Sequence, residues 1–421
     1  MDQIVINDSS HLKGQVKIEG SKNAVLPILA ATILASNDQS VITNVPLLSD
    51  FYIMKSVLES LNLKTQLNES KNEIVVDATG ELTHEAPFEL VTKMRASIVV
   101  MGPLVARTGY AKISLPGGCA IGERPIDLHL KGLEKLGVKI EDHGDFIEAF
   151  AKNGLIGNNI NLDFPSVGAT QNILMAATLA DGITVISNAA KEPEIIDLIN
   201  FLNKMGAKII GKGTSTLTIT GVSSLLGVTH NVVQDRIEAG TFMVAGAIGN
   251  NDIKILDAIK EHNEPLIDVL IKMGASVSFE EDGIRVKGNY ELKSINVETE
   301  PYPGFPTDMQ SQVTVLQALS DGQSQMKENV FENRFMHMQE LNKMGVNFRQ
   351  EGNTIKINGS THLKGAEVDA TDLRAAASLI IAGLNASGKT VVNNLKYLDR
   401  GYFKFHKKLS DLGANIQRIS K

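Results

Sequence analysis

Leu202-Asn203-Lys204-Met205-Gly206-Ala207 is one copy of a short pattern, Leu-x-x-Leu/Met-Gly-Ala/Val, that recurs along the chain. Further copies begin at Leu58, Leu133, Leu270, Leu341 and Leu409. The copy at Leu58 is a variant that has Asn62 in place of the glycine, and successive copies are 75, 69, 68, 71 and 68 residues apart. Glycine, and less often asparagine, ends helices because it adopts the left-handed conformation without a steric clash. The spacing therefore predicts six equivalent repeats.

Two further elements are predicted in each repeat. After most copies a short alternating strand is followed by a turn and a second strand, as in residues 276–287, which predicts a β-hairpin. Earlier in the repeat comes a small helix that is apolar nearly all round, such as residues 24–31, so we expect it to be buried on every side. This combination favours an α/β fold with strands outside and helices inside. These helices open at Ser21-Lys22-Asn23, Lys93-Met94-Arg95, Ser166-Val167-Gly168, Arg236-Ile237-Glu238, Pro306-Thr307-Asp308 and Thr371-Asp372-Leu373-Arg374.

The helix openings have two interpretations. Polar residues are common there because their side chains cap the free backbone N–H groups. Alternatively, openings that face one cleft would favour a bound anion, since helix N-termini carry partial positive charge. Lys22, Arg95 and Arg374 would add full charges. The residues alone leave both interpretations open.

Composition excludes several classes of protein. A chain of 421 residues that is 43% hydrophobic is long enough for two or more globular domains. Its net charge of −7 gives no general reason to bind nucleic acid or an anionic membrane. The longest apolar runs, 24–35 and 375–384, are too short to span a bilayer, and residues 1–20 lack a signal-peptide pattern. We therefore expect a cytoplasmic protein that does not bind membranes or nucleic acid.

Four residues stand out chemically, namely Cys119, Lys22, Asp308 and Arg400. Cys119 is the only cysteine and lies in a glycine- and proline-rich loop, where Arg124 would favour its thiolate form. Asp308 begins a helix, where it suits either a cap or a general base, and Arg400 suits either a pair with Asp399 or an anion site. No nucleotide, metal or redox motif is present, so we expect no cofactor and no metal, and we interpret His129 and His337 as hydrogen-bonded residues.

These motifs together resemble the enolpyruvyl transferase family, and within it the UDP-N-acetylglucosamine 1-carboxyvinyltransferases. The resemblance covers essentially the whole chain and implies a two-domain inside-out α/β barrel built from six βαβαββ-type repeats. It places 1–20 with 231–421 in one domain and 21–230, with a lid loop carrying Cys119, in the other. The motifs that carry it are Gly20-Ser21-Lys22-Asn23-Ala24, Met94-Arg95-Ala96-Ser97, Leu115-Pro116-Gly117-Gly118-Cys119, Gly122-Glu123-Arg124-Pro125-Ile126-Asp127-Leu128-His129, Phe305-Pro306-Thr307-Asp308-Met309-Gln310, Phe331-Glu332-Asn333-Arg334-Phe335, Thr371-Asp372-Leu373-Arg374 and Asp399-Arg400-Gly401-Tyr402.

The resemblance also implies an activity, the first committed step of peptidoglycan synthesis. The enolpyruvyl group of phosphoenolpyruvate would pass to the 3′-hydroxyl of UDP-N-acetylglucosamine, with release of phosphate. Asp308 would take the hydroxyl proton, and Cys119 would protonate C3 and be the target of fosfomycin. Lys22, Arg124 and Arg400 would hold the phosphate and carboxylate. The implied substrate contacts also include Asn23, Arg95, Pro125, Ile126, Asp127, Leu128, Ser166, Val167, Gly168, Val330, Asp372 and Arg374.

Two departures and three alternatives accompany this interpretation. Many relatives have a lysine at the position of Ser49 and another just before the Ser-Val-Gly segment, where this chain has Phe164-Pro165. In lacking both lysines, this chain resembles the second isoform found in some Gram-positive bacteria. The shikimate-pathway synthase is an alternative in the same reaction class, but it lacks the cysteine loop. A DNA clamp would need helices with basic faces, whereas the helices here are apolar. An RNA cyclase would need a nucleotide-transfer histidine in a comparable loop, and the sequence shows none. We therefore expect a monomer whose partners are its two small-molecule substrates.

Overall fold

The computed structural model describes residues 2–8, 11–115, 126–359 and 362–420. The chain forms two compact units. The central unit contains the described residues between 20 and 233, and the terminal unit contains those before 20 and after 233. Among the described residues, no helix combines the length and apolar character that a membrane crossing requires.

The α-helices of the described residues are short. They are α1 (Lys22–Ala31), α2 (Ser49–Ser60), α3 (Phe88–Val91), α4 (Met101–Thr108), α5 (Asp127–Lys135), α6 (Val167–Ala177), α7 (Pro193–Lys204), α8 (Arg236–Gly246), α9 (Glu264–Met273), α10 (Gln310–Leu319), α11 (His337–Lys343), α12 (Leu373–Leu384) and α13 (Phe405–Asp411). Segments of 3-10 helix span Thr32–Leu34, Glu69–Lys71, Arg95–Val100, Lys260–His262, Thr307–Met309 and Leu398–Arg400.

The strands are also short. Those of the first half of the chain are β1 (Asp2–Ile6), β2 (Lys13–Lys17), β3 (Ala35–Asn37), β4 (Ser40–Thr43), β5 (Lys64–Asn68), β6 (Glu73–Asp77), β7 (Glu85–Ala86), β8 (Tyr110–Ser114), β9 (Lys139–Asp142), β10 (Phe146–Phe150), β11 (Asn159–Asn161), β12 (Ile183–Ser187), β13 (Lys208–Ile210) and β14 (Thr216–Thr220). Those of the second half are β15 (Leu225–Leu226), β16 (Thr229–Asn231), β17 (Asp252–Leu256), β18 (Ser276–Glu280), β19 (Gly283–Lys287), β20 (Val297–Glu298), β21 (Gln323–Lys327), β22 (Asn347–Glu351), β23 (Thr354–Asn358), β24 (Leu363–Lys364), β25 (Glu367–Asp369), β26 (Ala386–Ser387), β27 (Thr390–Asn393) and β28 (Ile416–Ser420).

The same four-stranded sheet occurs six times in the described residues, three times in each unit. Each has one edge strand parallel to its neighbour, followed by two antiparallel pairings. The central unit contains the strand orders β16-β4-β6-β5, β7-β8-β10-β9 and β11-β12-β14-β13, and the terminal unit contains β2-β17-β19-β18, β20-β21-β23-β22 and β25-β27-β1-β28. Two further two-stranded sheets are β15-β3 and β24-β26. In the last four-stranded sheet the N-terminal strand β1 pairs with the C-terminal strand β28, so the two ends of the chain complete one repeat together.

The predicted helix ends and hairpin are confirmed. All six marker residues adopt positive φ, from 69° at Asn62 to 108° at Gly206, with Gly137, Gly274, Gly345 and Gly413 between them. A left-handed residue reverses the chain after the helix and allows the following strand to return along the sheet. The predicted hairpin at 276–287 is formed by β18 and β19, with Phe279 opposite Ile284.

The apolar helices are buried, as the sequence predicts. All eleven residues of α8 are buried, and α6, α10 and α12 are almost entirely so. In α1 only the first two residues, Lys22 and Asn23, are partly exposed. Two of the predicted openings differ in detail, because Arg95–Val100 and Thr307–Met309 are 3-10 segments that lead into α4 and α10. The openings of α1, α6, α10 and α12 are thus less buried than the helices that follow them, whereas the opening of α8 is itself buried.

Candidate active site

In the terminal unit, Asp308 is held between two arginines. Its Oδ1 accepts a hydrogen bond of 2.8 Å from Nη2 of Arg334, and its Oδ2 accepts one of 2.8 Å from Nη2 of Arg374. The arginine side chains are 5% and 4% exposed, whereas the Asp308 side chain is 26% exposed. We call these three residues the aspartate–arginine cluster. It has two positive charges for one negative charge, and its carboxylate remains accessible to solvent.

The charge state of Asp308 follows from these contacts. Burial alone would raise the pKa of the carboxyl group, but the charges and hydrogen bonds of Arg374 and Arg334 outweigh it and hold the pKa well below its ordinary value. Asp308 is therefore ionised at neutral pH. The carboxylate of Asp308 also raises the pKa of Arg374, so the guanidinium remains charged despite its burial.

A hydrogen-bonded layer supports the cluster. Tyr402 Oη accepts from Nη1 of Arg374 at 3.3 Å, from Nε2 of Gln312 at 3.3 Å, and lies 2.9 Å from Oγ1 of Thr241. The Gln312 amide also donates to the backbone carbonyl of Asp308 at 3.0 Å. Burial raises the pKa of Tyr402, so the phenol is neutral. These contacts link Tyr402 to α8, to α10 and to the predicted opening of α12.

Two other predicted contacts, Val330 and Asp372, lie close to this cluster. The N–H of Val330 donates to Oε1 of Glu328 at 2.8 Å, and Oε2 of Glu328 accepts from Oγ1 of Thr307 at 2.9 Å, next to Asp308. The carboxylate of Asp372 caps α12 by accepting from the N–H groups of Arg374 and Ala375, so the capping interpretation holds at this opening.

Arg400 ends the 3-10 segment Leu398–Arg400, two residues before Tyr402. The preceding residue, Asp399, accepts from both terminal nitrogens of Arg418, Nη1 at 2.7 Å and Nη2 at 2.8 Å. In the structure both carboxylate oxygens of Asp399 are hydrogen-bonded to Arg418.

In the central unit, Lys22 opens α1 and forms an ion pair with Asp50. The Lys22 Nζ lies 2.7 Å from Oδ2 of Asp50, with side chains 12% and 1% exposed. Asp50 lies in the first turn of α2, directly after Ser49. A lysine at a helix N-terminus opposes the helix dipole, and a buried carboxylate compensates for this cost.

Another hydrogen-bond network fixes His129 beside α6. Nδ2 of Asn172 donates to the carbonyl of Ile98 and to Nδ1 of His129, each at 3.0 Å, while Oδ1 of Asn172 accepts from Gly102. His129 Nδ1 therefore accepts, and the ring proton lies on Nε2. Burial and the charge of Arg95 lower the pKa of His129 to about 4, so the ring is neutral. This agrees with the interpretation of His129 as a hydrogen-bonded residue.

The remaining predicted contacts in the central unit lie at helix starts. Ser166 caps α6 by accepting from the N–H of Ala169 at 3.3 Å, and Val167 and Gly168 form the first turn. A side chain at Gly168 would lie 3.0 Å from the His129 ring, so glycine permits close packing there. The others are Asn23 in α1, Arg95 at the start of its 3-10 segment, and Ile126, Asp127 and Leu128 at the start of α5. The predictions for Cys119, Arg124 and Pro125 fall outside the described residues.

Sequence reasoning missed the partners of the predicted residues. Asp50 contacts Lys22, Arg334 contacts Asp308, and Tyr402 contacts Arg374. Arg334 and Tyr402 belong to motifs that carry the resemblance, so the sequence marked both residues without indicating what they contact. Asp50 had no signal, because an acidic residue in the first turn of a helix is ordinary.

Comparison with known proteins identifies the family. The family described as EPSP synthase (3-phosphoshikimate 1-carboxyvinyltransferase) matches residues 6–409. The chain belongs to this family. Among solved structures, it is similar to the enolpyruvyl transferase NikO from Streptomyces tendae, with a TM-score of 0.89 and 24% identity over 99% of this chain and 98% of that one. It is also similar to EPSP synthase from Acinetobacter baumannii, with a TM-score of 0.76 and 19% identity over the full length of both chains.

The family assignment confirms the predicted enolpyruvyl transferase fold of two α/β domains. The protein is a transferase that moves the enolpyruvyl group of phosphoenolpyruvate to an acceptor. The likenesses to solved structures, which are below 25% identity, show the fold alone. The acceptor has to be argued from the residues of this chain.

Proposed function

We propose that the acceptor is UDP-N-acetylglucosamine and that the enolpyruvyl group goes to its 3′-hydroxyl, as the first committed step of peptidoglycan synthesis. The observation that carries the reaction is the ionised Asp308 held by Arg334 and Arg374. A hydroxyl nucleophile requires a base, and an anionic donor requires cations. The choice of acceptor is supported by the cysteine loop around Cys119, which the resemblance associates with this nucleotide sugar.

The reaction proceeds by addition and elimination. The 3′-oxygen forms a bond to C2 of phosphoenolpyruvate, Asp308 accepts the hydroxyl proton, and C3 gains a proton from Cys119. The C2–O bond to phosphate then breaks and C3 loses a proton, which restores the double bond. Because Arg334 and Arg374 lower the pKa of Asp308, proton transfer to it weakens both ion pairs, and the carboxylate returns to its ionised state when the proton leaves.

The substrate anions are held by three cationic side chains. Lys22, Arg124 and Arg400 bind the phosphate and carboxylate of phosphoenolpyruvate and neutralise charge as phosphate leaves. The ion pair with the buried Asp50 orients Lys22 until the substrate binds. This role agrees with the placement of Lys22 at a partly exposed helix start.

The nucleotide sugar is bound mainly by residues of the central unit. The first turn of α6, with Ser166, Val167 and Gly168, offers backbone N–H groups to an anion. The other proposed contacts are Asn23, Arg95, residues 124–128, Asp308, Val330, Asp372 and Arg374. The absence of lysine at Ser49 and Phe164-Pro165 means that the diphosphate relies more on backbone donors in this chain.

The deciding experiment measures phosphate release from phosphoenolpyruvate with each acceptor. Release that requires UDP-N-acetylglucosamine supports the proposal. Release that requires shikimate 3-phosphate instead contradicts it and assigns the acceptor in the family's description.

The role of Cys119 has a separate test. A serine hydroxyl is a far poorer acid than a thiol at neutral pH, so Cys119→Ser is expected to lose nearly all turnover while the thermal unfolding midpoint stays unchanged. Fosfomycin is expected to alkylate the wild-type thiol. Full activity after stoichiometric alkylation at Cys119 would exclude it as the proton donor.

A further inference from the structure

The segment 398–402, which we call the arginine turn, carries three side chains with different contacts. It begins with the 3-10 segment Leu398–Arg400 and is closed by hydrogen bonds from the N–H groups of Gly401 and Tyr402 to the carbonyl of Leu398, at 3.1 and 3.0 Å. Tyr402 contacts Arg374 of the aspartate–arginine cluster. Arg400 is the proposed ligand of phosphoenolpyruvate. Asp399 contacts a residue outside the candidate site.

That residue is Arg418 of β28, which holds two carboxylates. Its Nη1 and Nη2 donate to the two oxygens of Asp399 at 2.7 and 2.8 Å, and its Nε and Nη2 contact Oδ2 of Asp2 at 2.9 and 2.8 Å. Asp2 lies on β1, opposite Ser420 of β28, whose hydroxyl donates to Oδ1 of Asp2 at 2.9 Å. The first and last strands of the chain thus fix the guanidinium in one orientation.

The arginine turn is also restrained by α12. A Cβ at Gly401 would lie 2.7 Å from Cδ2 of Leu373, so the turn packs directly against the start of α12. Arg374 follows Leu373 and donates to Tyr402. The turn is therefore restrained both by α12 and by Arg418.

Stability alone does not explain this arrangement. The Arg418 and Asp399 side chains are 25% and 37% exposed, and ion pairs with such exposure contribute only about 0–1 kcal/mol. A fork with two hydrogen bonds to one carboxylate does, however, restrict orientation strongly, and only arginine provides it. The geometry suits a positioning function better than a stabilising one.

We propose that Arg418 is a positioning residue, which orients Arg400 toward phosphoenolpyruvate by holding Asp399 in the arginine turn. The proposal rests on the proposed function of Arg400. Loss of Arg418 leaves Arg400 present but less restrained, so it weakens substrate binding through geometry rather than charge. Misplacement of a binding group by 1 Å costs about 10²-fold in rate, and partial loss of restraint costs less, about tenfold.

The chain offers a matched control. Arg285 of β19 makes the same kind of fork to Asp252 of β17, with Nε to Oδ1 at 2.6 Å and Nη2 to Oδ2 at 2.8 Å, in another sheet of the same unit. Arg418→Gln is expected to reduce kcat/KM for phosphoenolpyruvate about tenfold, mainly through KM, whereas Arg285→Gln changes it less than about twofold. Arg418→Lys is expected to retain more of the kcat/KM than Arg418→Gln but less than wild type, because a lysine ammonium cannot form the two parallel hydrogen bonds of a guanidinium.

A double-mutant cycle with Arg400→Ala tests the route of the effect. If Arg418 acts through Arg400, adding Arg418→Gln to Arg400→Ala causes no further loss of kcat/KM. A further tenfold loss in that background overturns the proposal. So does an equal loss of activity in Arg418→Gln and Arg285→Gln, because the effect would then reflect general destabilisation.

Hydrogen exchange separates this proposal from the proposed acceptor. Arg418→Gln is expected to speed amide exchange in peptides covering 398–402 relative to both wild type and Arg285→Gln. This measurement needs no acceptor. If wild-type protein releases no phosphate with UDP-N-acetylglucosamine, the proposed function fails. The exchange data still test whether Arg418 restrains the arginine turn. Unchanged exchange at 398–402 overturns the role of Arg418.

Discussion

The terminal unit has two buried clusters of charged side chains that differ in the sign of the excess charge. The aspartate–arginine cluster has two guanidiniums for one carboxylate. In the second, the glutamate–lysine cluster, Lys408 Nζ contacts Oε1 of Glu238 at 2.7 Å and Oε1 of Glu19 at 3.0 Å. Both lie at the start of buried helices, Asp308 before α10 and Glu238 in α8.

The two acidic groups consequently behave in opposite ways. The pKa of Asp308 is held well below its ordinary value by two arginines. Burial raises the pKa of Glu238 to about 7, and the single ammonium of Lys408 offsets this only in part. An excess of arginine leaves positive charge available for an anionic substrate. An excess of glutamate is instead relieved by binding a proton, which suits a structural cluster.

The largest expected difference between the clusters is in catalysis. Asp308→Ala is expected to reduce turnover by about 10²–10⁴-fold and to retain much of the substrate affinity, as removal of a general base does. Glu238→Gln is expected to change turnover less than about twofold, because Glu238 contacts only Lys408 and the N–H of Glu19 in its cluster. Steady-state phosphate release measures both. Similar losses in the two variants would mean that the clusters do not differ in function.

Breaking the aspartate–arginine cluster is expected to reduce stability. Arg374→Ala removes one of two partners of Asp308 and the hydrogen bond to Tyr402. Removing one partner of a buried ion pair costs about 3–5 kcal/mol, and we expect the lower end, about 3 kcal/mol, because Arg334 remains. Denaturant unfolding measures the free energy. A loss below about 1 kcal/mol would show that the pair is not buried in solution.

The glutamate–lysine cluster is expected to make stability depend on pH. The pKa of Glu238 is raised from 4.5 in the unfolded chain to about 7 in the folded protein, so the folded protein binds an extra proton between these values. The resulting stabilisation is complete below pH 4.5 and is lost as the pH rises through 7, by about 3 kcal/mol. Glu238→Gln is expected to lack this loss, as measured by unfolding at pH 5, 6, 7 and 8.

The aspartate–arginine cluster provides a control, because the pKa of Asp308 is lowered on folding whereas that of Glu238 is raised. The pKa of Asp308 is lower in the folded protein than its ordinary 3.8, so its stabilisation is present above pH 3.8 and lost only as the pH falls through the lowered value. Asp308→Asn is therefore expected to be less stable than wild type throughout pH 5–8, by a constant amount. A difference that grows between pH 5 and 8 would contradict the assigned ionisation.

The smallest expected effect concerns the supporting layer. Tyr402→Phe removes the phenol oxygen that accepts from Arg374 and Gln312 and contacts Thr241. We expect a loss of about 1 kcal/mol, typical of one net hydrogen bond, because the other groups keep partners. Thermal unfolding of Tyr402→Phe alone and in the Arg374→Ala background measures it. Strictly additive losses would show that Tyr402 does not support the arginine.

Several features of the fold could be read from the sequence. The spacing of the Leu-x-x-Leu/Met-Gly pattern predicted six repeats, and all six marker residues end helices with positive φ. The apolar character of α8 and α12 predicted their burial on every side. These predictions succeeded because they depend on local rules, namely which residues tolerate left-handed backbone and which surfaces avoid water.

The contacts of the candidate site were less accessible. Asp308 looked like a cap or a base. The sequence grouped Arg374 with it as another helix opening, but it did not indicate that Arg334 and Arg374, 26 and 66 residues further on, bind its carboxylate. The link between Asp2 and Arg418 spans 416 residues. An arginine anywhere in a chain pairs by default with a nearby acid, so residue type alone gives no partner.

The sequence by itself thus determined the repeat, the helix ends, the buried helices and the resemblance to enolpyruvyl transferases. Only the tertiary structure decided which charges meet, and therefore which acid is ionised. The reason is physical: the pKa of a buried carboxyl group depends on the charges within a few ångströms of it and on its access to water. Asp308 and Glu238 are both acids at helix openings. The fold places two arginines beside Asp308, whereas Glu238 shares the single Lys408 with Glu19.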